Sequence, residues 1–197
     1  MKATSFSSQL TAWLSDKKPK TLQDLVEHFA EKSFAVIFLV LMAIPALPIP
    51  TGGVTHVFEV ICMLLAFEMI AGLKTVWLPA AWGSKTLPAA MQTTALPAFV
   101  SLLKKVERFS RIRLRGVLEH GFTKRLIGII VLTLCLFAFF APPFTGLDTL
   151  PALGIVAISL GMILEDVILA LIGTIAGSIG IGLVVGLSGA IITFFTR

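Results

Sequence analysis

Leu10, Trp13 and Leu14 follow Phe6 at distances of four, seven and eight residues, which is the repeat of one helix face. The spacing predicts an amphipathic helix over 5–15, of the kind that lies on a membrane surface or packs as a small helical cap. Lys17-Lys18-Pro19-Lys20 interrupts it. Thr21, with Asp24 three residues on, then reads as a helix N-cap, and Leu22, Leu25, Val26 and Phe29 form a second apolar stripe.

From Phe34 the alternation stops and apolar residues run without a polar face. The 14 residues Phe34 to Leu47 make a helix of only about 21 Å, short of the roughly 30 Å hydrocarbon core of a bilayer. The stretch "AIPALPIPTGG" (43–53) then places three prolines and two glycines in oil. A second helix is expected from about Gly53 to Leu73, followed by "WLP" and a mixed segment, 87–103, that carries Pro88 and Pro97. That segment reads either as an interfacial helix or as a poor span.

A similar unit follows. Leu126 to Ala141 is apolar, Pro142-Pro143 breaks it, and Thr149 to Leu164 resumes. Glu165-Asp166 precedes a final uncharged run, 167–196, too long for one upright span, so that it tilts, bends or holds two short helices. Gly173 and Gly177 are four apart, as are Gly182 and Gly186. Small residues at that spacing let helix backbones approach in lipid; packing within the monomer is the expected use, and a homodimer contact is the other.

Composition agrees with this patterning. Of 197 residues, 56% are hydrophobic and 14% charged, and mean hydropathy is +0.96. No Asp, Glu, Lys or Arg occurs over 33–58, 126–147 or 167–196. Each window reaches the roughly 20 residues needed to span a bilayer as a helix, so an all-α integral membrane protein is expected. The first 20 residues lack the apolar stretch of a cleavable signal, which leaves insertion to the internal segments. Trp13, Trp77 and Trp82 fall outside the longest apolar runs, where interfacial Trp belongs. Cys62 and Cys135 lie inside such runs and read as small buried side chains rather than as a disulfide or metal framework.

The net charge of +5 does not point to nucleic acid, because it is concentrated between membrane segments. Lys104, Lys105, Arg108, Arg111, Arg113, Arg115, Lys124 and Arg125 crowd one loop, opposed by Glu107 and Glu119. Loop 104–125 is therefore expected on the cytoplasmic side. Lys104, Arg108, Arg111 and Arg115 recur at four, three and four residues, a helical stripe suited to anionic lipid head groups. Ordinary topology determination uses the same charges.

The predicted organisation is thus amphipathic cytoplasmic or interfacial helices over 1–32 and a membrane domain over 33–197. Within the latter, 33–75 is a first hairpin, 76–125 an interfacial and basic loop, 126–166 a second hairpin and 167–196 a Gly-rich segment. Pro50-Thr51-Gly52 and Pro143-Phe144-Thr145-Gly146 make the two hairpins plausible internal repeats, each break following a short apolar run and preceding a longer one. Proline removes a backbone donor, lipid supplies no replacement partner, and paired broken segments point to a transporter-like centre. Both units are read as re-entrant-like hairpins whose tips face each other; two kinked helices with no cavity are the plainer alternative.

Pro48, Pro50, Thr51, Gly52, Pro142, Pro143, Thr145 and Gly146 would shape a substrate or ion site there. Asp148 follows the second break, and His56 and Glu59 lie three apart, on one helical face, after the first. Ionisable groups at membrane depth are costly and face an interior or water, so Glu59 and Asp148 are candidates to bind a cation, carry a proton or contact a polar head group. Glu68 sits on the opposite helical face from Glu59, near the helix end, and with Glu165 and Asp166 reads as interfacial. No catalytic triad, metal-spaced His/Cys cluster or phosphate loop is present in the sequence, so no cofactor and no metal is expected.

"ALPIP" with "PTGG", a helix ending before "WLP", "LP…VERFSRIRL" and "GFTKRLIGIIVLTLCLFAFFAPPF…LPALGIVAISLGMI" together resemble the bacterial exopolysaccharide-synthesis ExoD family, from about Thr21 to Gly173. Ser110 stands where the family pattern has Pro before Arg111, "APPFTGLD" lacks a Leu-Pro-x-Pro break, and Glu68 takes a position that looks like Gln. The resemblance implies a small multi-pass bacterial inner-membrane protein associated with exopolysaccharide production, and it implies no mechanism. Two functions remain in view. One is a transporter- or scramblase-like protein, acting on an ion, proton or lipid-linked saccharide between the breaks. The other is a non-catalytic membrane scaffold that contacts membrane lipids and polysaccharide-synthesis proteins. An enzyme acting on a lipid-linked sugar is the least supported.

Overall fold

The computed structural model describes residues 6–16, 20–47, 54–79, 83–84, 86, 96–109, 116–118, 120–141 and 145–195. Among them it is all-helical: α1 (Phe6–Ser15), α2 (Leu22–Phe29), a 3₁₀ turn (Ala30–Lys32), α3 (Ser33–Met42), α4 (Val54–Ala71), α5 (Leu96–Phe109), α6 (Gly121–Phe139), α7 (Thr149–Leu164) and α8 (Val167–Phe195). No strand occurs among the described residues.

The N-terminal helices form where their sequence signals place them. Thr21 caps α2 in a reciprocal capping box with Asp24, which satisfies two otherwise unpaired amides. The apolar face of α1 is not left for lipid: Leu10 and Trp13 are buried, as are Leu25, Val26 and Phe29 of α2 and Val100 and Leu103 of α5. One ion-like contact locks α1 to α5. The Ser7 N–H and Oγ–H donate to Glu107 Oε1 and Oε2 at 2.9 and 2.6 Å, placing a carboxylate at the start of α1, where the helix dipole favours negative charge.

α3 is buried on every side, with Phe34 to Leu39 and Met42 inside. Its regular hydrogen bonding runs on through Ala43 and Ala46, which donate to Leu39 and Met42, and Pro45 within that turn has no N–H to give. α3 packs on α4 and α7, α4 on α6, and α7 on α6 and α8.

The directions of these helices follow from side-chain contacts at both ends. Lys32, at the head of α3, donates from Nζ to the Ile163 carbonyl (2.8 Å) and Glu165 (3.0 Å) at the tail of α7, so α3 and α7 are antiparallel. Arg125, early in α6, lies over Gly72 just past α4, while His56, early in α4, meets Phe139 at the end of α6. The Val76 N–H returns to Ser33 Oγ. α3, α4, α6 and α7 therefore alternate up and down, so that the ends of α3 and α6 and the starts of α4 and α7 share one end of the bundle while Lys32, Gly72, Arg125 and Glu165 lie at the other.

The amphipathic α5 accounts for this. It begins at Leu96, exposes Lys104, Lys105 and Arg108 and buries Val100 and Leu103; a helix with three exposed cations and this length is not an apolar span.

One expectation needs correction. The second break does not follow a short run: α6 has 19 residues and α7 has 16, against 10 and 18 for α3 and α4. Gly121 to Arg125 extend α6 at its start, so the two hairpins are not matched in length order. Of the alternatives for the Gly-rich run, the division into two short helices does not occur; α8 is one uninterrupted helix of 29 residues, about 43 Å long.

α6 and the Val167–Leu187 part of α8 are long and apolar enough to cross a membrane. Exposed apolar stripes run along the outside of the bundle: Val57, Val60, Leu64 and Phe67 on α4, and Ile168, Leu171, Ile175 and Ile179 on α8. The inner side of α8 meets α7 through glycine. A Cβ built on Gly154 would stand 2.7 Å from the Gly177 Cα, and one on Gly161 would stand 2.6 Å from the Ala170 N, closer than real side chains come.

Candidate functional site

Glu59 enters the structure one turn after His56 on the inward face of α4. It is fully buried. Its Oε2 lies 3.0 Å from His56 Nδ1, while Oε1 is buried with no hydrogen-bond partner among the described residues. A carboxylate oxygen removed from water and left unpaired is costly, and Glu59 Oε1 is the single such side-chain atom found among the described residues. His56 is 30% exposed at its side chain and its ring lies 5.1 Å from the Phe139 ring, so the pair runs from the surface inwards.

The second break supplies the other carboxylate. Phe140 and Ala141 close α6 with bonds to Leu136 and Ala138. Gly146 then takes φ +67°, a left-handed conformation that costs glycine nothing, and Thr149 N–H bonds back to the Gly146 carbonyl. The turn sets Asp148 at the head of α7, within electrostatic reach of Glu59. Thr145 and Gly146 are exposed. The structure thus brings His56, Glu59 and Asp148 to one end of the bundle. Pro48, Pro50, Thr51, Gly52, Pro142 and Pro143 lie outside the described residues.

One turn further along α4, Cys62 meets Cys135 of α6, both fully buried and both free thiols. Read separately in the sequence, the two cysteines gave no sign of this contact; only the antiparallel register of α4 and α6 creates it. No group of three His, Cys, Asp or Glu that could hold a metal occurs among the described residues.

The remaining ionisable groups have structural partners. Glu68 accepts the Trp77 N–H at 2.9 Å, Asp166 Oδ1 accepts the Ile168 and Leu169 amides at the start of α8, and Glu165 pairs with Lys32. Lys104 and Arg108 stand exposed on α5. Arg111 and Arg115 lie outside the described residues. Sequence spacing missed Glu107 and Lys32, whose partners are 100 and 131 residues away.

The family model described as "Exopolysaccharide synthesis, ExoD" matches residues 6–186. The chain belongs to the ExoD family. The match covers α1 and most of α8, beyond the 21–173 region that carries the motifs. An uncharacterized protein of Synechocystis sp. is 32% identical over 136 residues, covering 69% of this chain and 63% of that protein. Protein ExoD of Rhizobium meliloti is 25% identical over 167 residues, covering 82% of this chain and 68% of that protein. The chain thus aligns with about two thirds of the length of these curated relatives. No solved structure matches. Membership of the ExoD family links the chain to exopolysaccharide synthesis.

Proposed function

We propose that this ExoD-family chain is a multi-pass protein of the bacterial inner membrane that serves exopolysaccharide synthesis by passing a charged or polar species through a site between its two helix breaks. The observation that carries this reading is Glu59, wholly buried with one oxygen unpaired among the described residues and within electrostatic reach of Asp148 beyond the second break. Fold stability alone gives no reason to keep such a group inside, and ionisable residues at membrane depth serve a pathway or a relay. The exposed apolar stripes of α4 and α8 suit contact with lipid, and the exposed Lys104, Lys105 and Arg108 suit a cytoplasmic surface rich in anionic head groups.

The test is water access to the two breaks. Single cysteines at Thr51 and Thr145, on a background lacking Cys62 and Cys135, are labelled from each side with a membrane-impermeant thiol reagent. The reading expects both to label from the same side. No labelling at either, or labelling from opposite sides, overturns a shared wet site and leaves the scaffold function, with the cations of α5 as the contact surface.

A further inference from the structure

The occupant of this site follows from what surrounds Glu59. A bound metal cation of the sodium, magnesium or calcium type needs about six oxygen ligands. The described groups tied to Glu59 are His56, at 3.0 Å, and the Cys62 thiol and Asp148 carboxylate within electrostatic reach. No group of three His, Cys, Asp or Glu that could hold a metal occurs there among the described residues. A proton requires only one lone pair.

The connection to solvent has the same character. His56 reaches both ways, with a partly exposed ring and Nδ1 at 3.0 Å from Glu59 Oε2. Imidazole is the side chain that accepts a proton on one nitrogen while releasing one from the other. The two residues are three apart on one helix, so their geometry is held by the backbone and not by a mobile loop.

We propose that His56 and Glu59 form a proton relay, in which the buried Glu59 carboxylate is loaded through the imidazole. In the loading step a proton adds to His56 Nε2 and the Nδ1 proton passes to Glu59 Oε2. The products are a neutral carboxyl and a neutral imidazole protonated on Nε2; one proton has entered and none is lost. Asp148 provides a second carboxylate within electrostatic reach of the loaded group. The relay deepens the broken-helix reading above and rests on it, since it names the proton as the species that the site takes.

Infrared difference spectra of the purified full-length protein, recorded across a pH titration in sodium-free buffer, test this without any transport measurement. The expected result is a carboxylic-acid C=O stretching band that grows as pH falls, is lost in Glu59→Gln, and persists with a shifted midpoint in Asp148→Asn. In His56→Phe the band is expected to exchange with D₂O more slowly. Each variant is first shown by circular dichroism to retain its helix content, and His56→Gln serves if Phe does not fold. A band unchanged in Glu59→Gln overturns the relay, as does loss of the band on adding sodium at constant pH, which would identify a metal cation instead. The two ideas separate cleanly: the Glu59 band without labelling at Thr51 and Thr145 overturns the wet cavity alone, and labelling without the band overturns the relay alone.

Discussion

Two helix interfaces in this molecule are built on opposite principles. α7 and α8 meet through Gly154, Gly161 and Gly173, where the nearest atoms of the facing helix are backbone. α4 and α6 meet over a half-paired carboxylate and two thiols, with Gly128 as their point of close approach. The first interface gains dispersion contacts from every atom it brings together. The second gives up part of that gain to keep Glu59 inside. Stability is concentrated in one seam and a strained polar group in the other, as is common where a fold carries a function.

Substitutions separate the two seams. The largest effect is expected from Gly154→Val, whose Cβ would fall 2.7 Å from the Gly177 Cα and 2.8 Å from the Gly173 O. Backbone cannot step aside as a side chain can, so thermal unfolding in detergent should reveal a loss of about 3 kcal/mol. A wild-type melting temperature would mean that the glycine seam does not hold α8 in place.

Glu59→Gln should act in the opposite direction. Removing a buried, half-satisfied charge is expected to raise stability by about 1–3 kcal/mol while abolishing activity in exopolysaccharide production. A variant that melts earlier than wild type would show that Glu59 is a structural keystone and not a functional group tolerated at a cost.

A smaller gain, about 1 kcal/mol, is expected for Gly182→Ala. A Cβ there meets nothing within 4 Å, so the change relieves only the conformational freedom of glycine in a helix. The same melting experiment checks it, and a clear loss would mean that a partner covers this face of α8. Gly128→Ala should cost least, under about 1 kcal/mol. Its nearest neighbour is the Ile70 side chain at 2.9 Å, which can turn away, although the Ala66 carbonyl follows at 3.3 Å. A loss as large as that of Gly154→Val would make the two seams equally rigid and erase the contrast.

How much of this was legible beforehand depended on the range of the signal. The cap at Thr21 and Asp24, the break after Met42 and the His56–Glu59 pair are local, set by residues three to four apart, and periodicity and proline chemistry expose them directly. α6 begins at Gly121, ahead of the apolar run at Leu126, because Thr123, Lys124 and Arg125 are polar yet helical. A polar turn at a helix start looks like a loop until the packing of Arg125 over Gly72 shows otherwise.

Amino-acid order alone determined that the chain is helical and apolar, that it breaks twice at Pro/Gly clusters, and that few ionisable residues lie in its oil, because these depend on composition and near-neighbour spacing. Only the tertiary structure decided that the ends of α3 and α6 meet the starts of α4 and α7 at one end, that Lys32 closes the other end against Ile163 and Glu165, that Glu107 anchors α1, and that Glu59 has an unpaired oxygen among the described residues. Each of these is a contact, or a missing one, between segments far apart in the chain. Such contacts are selected by how whole helices fit together, and no residue's immediate neighbours carry that information.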